Sequence, residues 1–490
     1  MIYDLVIIGA GPSGLALAHC CSNIPNIKIL VIERESQIGG CHRVNRVKHN
    51  NEKLFTEHGP RIYSSSYKNF NYLLYEMNTS LKELYTPYKF QILNMSDIIL
   101  TPNLSEIFKI ILSFIFLLLN NNYGRNINMA SYMSDNKFSK KTIDLVDRLC
   151  RLSDGGDIHK YNLNKFLQLI NQQGLYTIYQ PKNPTDKKLF IIWKKYLEKK
   201  GVHFMLNSEI KNIKINDNKI ISCDINSDTI HSITGNKYIF AIPPKNLLEL
   251  FQKSDNNLLQ NSYGNFNIFK KWVEDSDYIE YISIVYHWDI KLDLPKLFAF
   301  SKSSSWGIIF IVLTDYINFD ESQSKTVIST AITIVDKKGK NNKTANECKD
   351  KDEIIDEVYN QLKDSFPNLP KPSIALITPN NFYDNEEKEW ESKDTAFIAA
   401  YNTPYIHFQS KIIDNLYTLG TQNGKSHYSF TSLESAVSNS MYLSGLLYPE
   451  LKEKYKIIKL TTVRDVLYYI IIFIIILLII LNILYVYNNR

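Results

Sequence analysis

Two kinds of apolar pattern predict strands along the chain. Apolar runs without alternation, Leu5–Ile8 and Ile27–Ile32, predict buried parallel strands near the N-terminus. Alternating runs predict an antiparallel sheet in the second half of the chain, at Tyr281–Trp288, Gly307–Leu313 and Thr326–Val335. Further strands are predicted at Val202–Leu206, Ile210–Ile215, Ile220–Ile225, Lys237–Ile242 and Leu416–Gly420.

Helices are predicted between these strands, which places the chain in the α/β class. A helix from Ser13 to Cys21 follows the first strand, residues 69–175 are predicted to be largely helical, and an amphipathic helix covers Asp186–Lys199. Another helix runs from Thr431 to about Tyr448, and its Thr431-x-x-Glu434 spacing is that of a capping box. Its exposed N–H groups and positive dipole end can therefore face a ligand. The segments Ser36–Arg43 and Phe55–Tyr63 are predicted to be loops.

The first strand, turn and helix form a dinucleotide-binding fingerprint. Gly9 allows a tight turn, Gly11 lets the backbone approach a pyrophosphate, and Gly14 lets the helix pack on the sheet. The N-terminus of the helix then faces the phosphates. Glu33 follows the second strand and is placed to accept a ribose hydroxyl, which disfavours a 2′-phosphate. The nucleotide is therefore expected to be FAD or NAD rather than NADP.

A long apolar segment near the C-terminus predicts a transmembrane helix. Residues Val466–Tyr487 carry no charge and exceed the roughly 20 residues that a bilayer span requires. Tyrosines stand at both ends, as in interfacial aromatic belts. Several basic residues precede the segment and only Arg490 follows it, so the positive-inside rule places the large domain on the cytoplasmic side. The preceding cations are Lys452, Lys454, Lys456, Lys459 and Arg464. This arrangement is that of a single-pass tail anchor.

A second apolar run, Ile107–Leu119, is too short to span a membrane and contains Lys109. It is either a core helix or an interfacial helix. We expect core packing. The interfacial alternative would place this helix on the same membrane that the C-terminal segment enters.

Composition narrows the remaining function classes. At 490 residues the chain exceeds a single core, so two or three subdomains are expected. The net charge of +6 is modest and its lysines form no stripe interleaved with aromatic residues, so no nucleic-acid partner is expected. The cysteines show no CxxC pair, which argues against a zinc site or a disulfide framework, and we predict no metal site. The six cysteines are Cys20, Cys21, Cys41, Cys150, Cys223 and Cys348.

The order of these signals resembles the FAD-dependent amine oxidase superfamily, which includes monoamine and polyamine oxidases, protoporphyrinogen oxidase and phytoene-type carotenoid desaturases. After the fingerprint, Gly39-Gly40-Cys41-His42-Arg43 is similar to that family's Gly-Gly-Arg turn, with two residues interposed. Glu57-His58-Gly59-Pro60-Arg61 is similar to its Glu-x-Gly segment, and Leu419-Gly420 with Thr431–Ala436 to its C-terminal flavin motif. The family's Pro-x-Gly-Gly helix start corresponds to Pro181-Lys182-Asn183-Pro184, where both glycines are lost.

The resemblance implies a Rossmann-like FAD-binding domain (GR2-type) with an inserted α+β substrate domain. The FAD-binding domain is expected to be discontinuous and to consist of residues 1–75, 180–250 and 396–450. The substrate domain is expected at residues 76–179 and 251–395. A basic linker, 451–465, then precedes the transmembrane helix at 466–487.

Together the fingerprint and the resemblance assign the cofactor contacts. These are Gly9, Gly11, Pro12, Ser13, Gly14, Glu33, Arg34, Gly39, Gly40, Arg43, Gly59, Pro60, Arg61, Ile210, Gly420, Thr431, Leu433, Glu434 and Ala436. Some amine oxidases attach the flavin to a cysteine near the C-terminal motif, but the last cysteine here is Cys348, so noncovalent FAD is expected.

The implied reaction is hydride transfer from a substrate C–H bond to flavin N5, with an amine, a porphyrinogen or a polyene-type substrate. The resemblance places the loop between Gly420 and Thr431 beside the flavin, so Tyr428 is expected in the substrate cavity wall and His427 as a proton-exchanging group. The membrane segment suggests that the small-molecule substrate is lipophilic.

Two other functions stay open. The Gly59–Tyr63 segment is also similar to the Gly-Pro-His-Ile-Phe stretch of UDP-galactopyranose mutases, flavoenzymes without net redox change. The altered glycine turns are compatible with a membrane-anchored flavin-binding protein that has lost catalysis.

Overall fold

A computed structural model describes residues 1–88, 101–226, 230–254, 256–279, 281–294, 304–314, 317, 319–398, 401 and 403–488. The described strands are β1 (Ile2–Ile8), β2 (Ile29–Ile32), β3 (Val44–His49), β4 (Glu52–Glu57), β5 (Tyr63–Ser64), β6 (Tyr85–Pro87), β7 (Ile178–Pro181), β8 (His203–Met205), β9 (Glu209–Asn216), β10 (Lys219–Asn226), β11 (Ile230–Phe240), β12 (Asp277–Ile279), β13 (Ile282–Trp288), β14 (Ile309–Val312), β15 (Thr326–Ile332), β16 (Ile374–Ile377), β17 (Asn381–Asp384), β18 (Glu389–Ser392), β19 (Ala396–Ile398) and β20 (Leu416–Thr418). The described α-helices are α1 (Pro12–Cys21), α2 (Lys68–Glu76), α3 (Leu81–Leu84), α4 (Leu104–Leu119), α5 (Met129–Asp135), α6 (Lys140–Asp154), α7 (Leu163–Gln173), α8 (Leu189–Lys199), α9 (Pro244–Gln252), α10 (Asn257–Gln260), α11 (Phe266–Glu274), α12 (Lys351–Leu362), α13 (Leu433–Leu447) and α14 (Val463–Asn488).

The larger sheet has seven strands in the order β8-β2-β1-β11-β10-β9, with β20 beside β11. Strand β1 pairs in parallel with β2 and β11, and β20 also runs parallel to β11. Residues Leu5–Ile8 are buried because helices cover both faces of this parallel region, as the unbroken apolar run predicted. Helix α1 is buried along its whole length and packs against α13, where Ser440 Oγ donates to the Ser13 carbonyl oxygen at 2.8 Å.

Strand β11 is longer than the predicted Lys237–Ile242 segment. Its first half pairs antiparallel with β10, with Cys223 opposite Ile233, whereas its second half pairs in parallel with β1. The polar residues of the first half occupy an exposed hairpin, so no unbroken apolar run marks them. One strand thus joins the β9–β11 hairpins to the parallel sheet.

A second, antiparallel sheet has the order β14-β15-β13-β16. One face packs on α12, where Tyr286, Trp288, Val358 and Leu362 share a core. The other face packs on Val44 and Phe55 of the β3–β4 hairpin. The segment Phe55–Tyr63 is therefore not all loop, because its ends lie in paired strands β4 and β5.

Helices α4–α7 form a separate core around Leu117, Met129, Val146 and Phe166. Residues 89–100, inside the segment predicted to be helical, lie outside the described part of the chain. The prediction that Ile107–Leu119 packs into a core is right only in part: Leu117 is buried in this core and Ile110 and Phe114 pack against it, but most of the large apolar side chains of α4 face outward. The exposed ones are Leu104, Phe108, Ile111, Leu112, Ile115, Phe116 and Leu119.

Helix α14 is long and apolar enough to cross a membrane, and none of its apolar segment is buried inside the protein. The preceding segment is fastened to the body of the molecule. Tyr455 Oη donates to Glu76 Oε2 at 2.8 Å, and Lys454 Nζ lies 2.9 Å from Glu76 Oε1. His19 Nε2 contacts the same carboxylate at 3.0 Å.

These bonds make the attachment sensitive to acid. Burial opposes ionisation, but hydrogen bonds from His19, Lys454 and Tyr455 outweigh it and lower the pKa of Glu76 to about 2. An acid whose folded-state pKa is lowered contributes stability above its unfolded pKa and loses that stability as the pH falls through the folded value.

We predict that the Glu76→Gln variant loses on the order of 2 kcal/mol of unfolding free energy near neutral pH. The difference from wild type should shrink between pH 4.5 and about 2, where the wild-type carboxylate takes up its proton. Denaturant unfolding of both proteins across this pH range measures the difference in their unfolding free energies. A difference independent of pH would contradict the prediction, and Glu83→Gln, an exposed neighbour, is the control.

Candidate functional site

One large cavity, of about 390 Å³, lies at the carboxyl ends of the parallel strands. The residues that follow β1, β2, β11 and β20 all border it, namely Gly9, Glu33, Ala241 and Gly420. It continues past the β4–β5 loop to the second sheet, where Tyr281 and Ile309 form its far wall. The cavity therefore extends from the carboxyl ends of the parallel strands to the second sheet.

Backbone rather than side chains forms the wall between β1 and α1. Gly9 has φ +105°, and a Cβ there would lie 2.5 Å from the Ala241 carbonyl oxygen, so only glycine makes this turn. Helix α1 then begins at Gly11 without a side-chain cap, which leaves its first N–H groups available to an anion. Gly40, with φ +55°, packs directly against Gly11, because a Cβ at Gly40 would lie 2.9 Å from the Gly11 Cα. Two closely packed glycine turns thus border the cavity beside the start of α1.

Glu33 is held rigidly at the end of β2. Its Oε2 accepts from the Ala10 N–H at 2.8 Å, and its Oε1 accepts from the Glu35 N–H at 3.1 Å. Burial raises the pKa of Glu33, although these two N–H groups and Arg43 oppose the shift. Arg43 lies 3.8 Å from Glu33 and pairs with Asp394 at 2.7 Å. The acid predicted to accept a ribose hydroxyl therefore borders the cavity in a preorganised position.

The nineteen residues predicted to bind the cofactor fall into two groups, those that border the cavity and those that do not. Sixteen of the nineteen border the cavity: Gly9, Gly11, Pro12, Ser13, Glu33, Arg34, Gly40, Arg43, Gly59, Pro60, Arg61, Ile210, Gly420, Thr431, Leu433 and Ala436. Gly14, Gly39 and Glu434 do not. Gly14 instead allows α1 to pack closely against the end of β1, because a Cβ there would lie 2.0 Å from the Gly9 carbonyl oxygen.

Arg61 lies in the loop between β4 and β5, and its positively charged side chain borders the cavity. Its guanidinium donates to the Cys41 carbonyl oxygen and lies 3.8 Å from Glu57. Burial, with Arg61 nearby, lowers the pKa of His42 well below its usual value and that of His58 to about 3. Burial raises the pKa of the Cys41 thiol. At neutral pH this wall therefore combines one guanidinium with neutral imidazoles and a neutral thiol.

The prediction of a Thr431–Glu434 capping box is wrong. Ser432 caps α13, accepting from the Ser435 N–H at 3.2 Å, and Thr431 Oγ1 instead donates to the Phe397 carbonyl oxygen at 3.0 Å. Glu434 turns away and accepts from the N–H groups of Asn69 and Phe70, both at 3.0 Å. It thereby caps α2, whose own N-cap residue, Tyr67, makes no side-chain cap hydrogen bond.

The two residues predicted to be catalytic, His427 and Tyr428, lie outside the cavity. His427 is exposed and does not border it. Tyr428 does not border it either, since its ring packs against Tyr67 and Phe430 and its hydroxyl is bonded to Gln173. The loop that carries them folds back onto α7, where Gln172 bonds to the His427 carbonyl oxygen at 3.1 Å.

Sequence reasoning missed the residues of the far wall. Tyr67, Asp154, Tyr281 and Phe397 border the cavity, although no motif marks them. The one usable signal was the Gly155–Gly156 break, because Gly155 ends α6 with φ +86° and passes close to the Tyr281 hydroxyl.

Asp154 connects α6 to the start of α13. Its Oδ2 lies 2.7 Å from Lys165 Nζ and 3.3 Å from the Thr431 N–H, and its Oδ1 accepts from Tyr161 at 2.7 Å. Both charged side chains are buried. The ion pair thus holds the residue before the α13 cap at the cavity wall.

We predict that Asp154→Asn costs about 3–5 kcal/mol of unfolding free energy, because it leaves the buried Lys165 ammonium without its carboxylate. The double variant Asp154→Leu with Lys165→Met should regain most of that loss, since no charge then remains buried. Denaturant unfolding of the three proteins measures this. Equal losses in the single and double variants would refute it.

Comparisons with known proteins agree with this geometry. The family described as NAD(P)-binding Rossmann-like domain matches residues 7–77, which include the end of β1 and all of α1 and β2. A curated relative, UDP-galactopyranose mutase of Mycoplasma genitalium, is 34% identical over 80 residues. That match covers 16% of this chain and only 19% of the relative's length.

Solved structures match over most of the chain at low identity. An oxidoreductase from Methanosarcina mazei is 14% identical with a TM-score of 0.63, covering 90% of this chain and 99% of its own. Cyclohexylamine oxidase from Brevibacterium oxydans is 13% identical with a TM-score of 0.57, covering 92% and 100%. The resemblance predicted from the sequence is confirmed at the level of the fold: residues 7–77 match a NAD(P)-binding Rossmann-like domain, and most of the chain shares its fold with cyclohexylamine oxidase.

Proposed function

We propose that the chain is a FAD-dependent oxidoreductase that transfers a hydride from a C–H bond of an organic substrate to flavin N5. The observation that carries the proposal is the continuous cavity from the glycine turns to the far wall at Tyr281. FAD supplies the hydride acceptor when bound. The protein supplies the binding surfaces and the position of the substrate.

The residues present fit FAD. The first turn offers backbone N–H groups of α1 with no capping side chain, and the carboxylate of Glu33 stands after the second strand. At the opposite end, Ser432 and Leu433 bring the N-terminus of α13 to the cavity. The positive end of that helix favours negative charge on a bound ring system. Nothing in the wall requires a covalent link, and FAD is proposed to bind noncovalently.

The far wall suits an organic substrate held mainly by apolar and aromatic surfaces. Leu152, Ile309 and Phe397 lie there beside Tyr67 and Tyr281. Burial raises the pKa of both tyrosines, so their phenols are neutral at physiological pH. They are therefore proposed to orient the substrate rather than to remove a proton. Because His427 is exposed, it no longer stands as the proton-exchanging group.

The test of this function is anaerobic reduction of the purified full-length holoprotein. One donor among amines, porphyrinogens and polyene lipids should bleach the visible absorbance of the oxidised flavin, and dioxygen or another acceptor should restore it. A flavin that every donor leaves unbleached would instead support a membrane-anchored flavin-binding protein without catalysis.

A second candidate is an isomerase similar to UDP-galactopyranose mutase. The 80-residue match favours it. Gly59, Pro60 and Arg61, whose segment is similar to the Gly-Pro-His-Ile-Phe stretch of the mutases, border the cavity. Interconversion of UDP-galactopyranose and UDP-galactofuranose by the prereduced protein, without net flavin oxidation, would establish this activity and displace the first proposal.

We predict that Gly11→Ala weakens FAD binding roughly tenfold or more without unfolding the protein. A Cβ at Gly11 meets no protein atom closer than the Gly40 Cα at 3.6 Å, so the fold tolerates it, but Gly11 borders the cavity beside the start of α1, where the phosphates are proposed to bind. Flavin titration measures the affinity. The matched variant Gly14→Ala should instead destabilise the fold, because its Cβ would clash with the Gly9 carbonyl oxygen. Unchanged affinity in Gly11→Ala would argue against a phosphate at this turn.

We also propose that α14 crosses a membrane and that the cations before it keep the catalytic body on the cytoplasmic side. Its length, its apolar composition and its lack of burial support this. The lipophilic substrate expected from the sequence fits such a location.

We predict that the double substitution Ile474→Arg with Leu478→Arg releases the protein from carbonate-washed membranes, because each arginine near the bilayer centre costs about 2.5–3.5 kcal/mol. Tyr485→Arg with Tyr487→Arg, near the helix end, should stay bound, since long cationic side chains reach the interface there. Equal retention of both variants would contradict a spanning helix.

A further inference from the structure

Helix α4 is apolar on its outer side as well as on the side that packs against the core. Its exposed side carries Phe108, Ile111, Leu112, Ile115 and Phe116, spaced three or four residues apart. Phe108 is 64% exposed and Ile111 is 51% exposed. Surface helices of soluble proteins place such residues inward and polar residues outward. A stripe this apolar and contiguous marks a surface that contacts something other than water.

The polar residues of α4 are used on its inner side. Glu106 is buried and accepts from the Asn103 N–H at 2.8 Å and from the Thr142 hydroxyl at 2.9 Å. Ser113 is also buried and bonds to the Tyr132 hydroxyl at 2.7 Å. Rotating the helix to bury its apolar side would break these bonds and leave buried partners unsatisfied. The outward apolar side is therefore a stable feature of this fold.

The C-terminal end of α4 touches the base of α14. Arg464 Nε donates to the Leu118 carbonyl oxygen at 2.9 Å, and the Arg464 N–H donates to Asn171 Oδ1 at 2.9 Å. Tyr176 Oη donates to the Thr461 carbonyl oxygen at 2.7 Å just before α14 begins. Helix α14 is thus fixed to α4 and α7 where it leaves the protein.

Two more exposed apolar residues belong to this corner. Ile170 near the end of α7 is 51% exposed and Leu175 just beyond it is 46% exposed. Gly174 lies between them in sequence and contacts Val463, the first residue of α14. The exposed residues of α4 together with Ile170 and Leu175, which we call the apolar collar, therefore lie beside the base of α14.

We propose that the apolar collar rests in the headgroup and upper acyl region of the same bilayer that α14 crosses. When a helix lies in the membrane–water interface, its apolar side is typically buried about 5–10 Å into the boundary between headgroups and acyl chains. The collar is continuous with the base of α14, and hydrogen bonds fix the two together, so a membrane around α14 meets α4 without any hinge motion. This inference rests on the membrane crossing proposed for α14.

The consequence is a fixed orientation of the catalytic body. A helix on a free linker would let the body tumble above the membrane, but Tyr455, Lys454 and Arg464 fasten the linker along its length. With α4 as a second contact, the body lies against the lipid surface on the side of helices α4–α7.

The test uses the full-length flavin-loaded protein in phosphatidylcholine–phosphatidylglycerol vesicles. An environment-sensitive fluorophore is attached at Ile115→Cys in the collar, at Ile476→Cys in α14, or at Ile221→Cys as the control. Ile221 is also an exposed apolar residue, but it lies on β10. All three positions are exposed, and the flavin absorbance verifies that each variant is folded. Five of the native cysteines are buried, and unsubstituted protein gives the labelling background.

Lipids brominated in the acyl chain report contact with the bilayer. We expect a loss of emission at positions 115 and 476 and none at 221, with shallow bromine quenching position 115 more strongly than deep bromine. Quenching at 476 with none at 115 would overturn the collar while leaving α14 in the membrane. No quenching at 476 would overturn the membrane crossing as well. Emission at 115 that is shielded from water but unquenched by brominated lipid would assign the collar to a second copy of the chain and overturn the proposal.

Discussion

The close approach of α1 to β1 is the contact on which the rest of the site depends. Gly14 brings the helix so near the strand that a single methyl group would reach the Gly9 carbonyl oxygen, and α1 is buried on every side. To bury it, α13 must pack across from the other end of the chain, where Ser440 bonds to the Ser13 backbone. This packing brings the N-termini of both helices to one cavity. The proposed cofactor site is therefore a product of helix packing as much as of the glycine fingerprint.

Carboxylates that are buried or half-buried connect this centre to the other parts of the molecule. Glu434 leaves its own helix to cap α2, and Glu76 at the end of α2 holds the segment that leads to α14. Asp154 ties the helical region to the residue before α13. Glu434 and Asp154 satisfy buried N–H or ammonium groups, and Glu76 holds the hydroxyl of buried Tyr455, so each carboxylate is costly to remove. The proposed flavin site and the membrane-proximal segment are thus linked through adjacent polar contacts.

An apolar sequence pattern shows which residues avoid water, but it does not show whether protein or lipid covers them. The run at Ile107–Leu119 has the composition of a core helix, which is why core packing was expected. The structure instead uses Glu106 and Ser113 on the inner side and leaves the apolar side outward. Composition alone does not distinguish a protein core from lipid, because both are apolar environments.

The sequence by itself determined the nucleotide-binding turn, because Gly9, Gly11, Gly14 and Glu33 act within about thirty residues and their roles follow from local backbone geometry. It also determined most strands of the two larger sheets and the apolar C-terminal helix, whose patterns are local, but not β16 or the first half of β11. Only the tertiary structure decided that Glu434 caps α2, that His427 lies outside the cavity, and that Tyr281 and Asp154 form its far wall. These assignments depend on where a side chain points and on which distant residue it meets, and one-dimensional spacing carries neither.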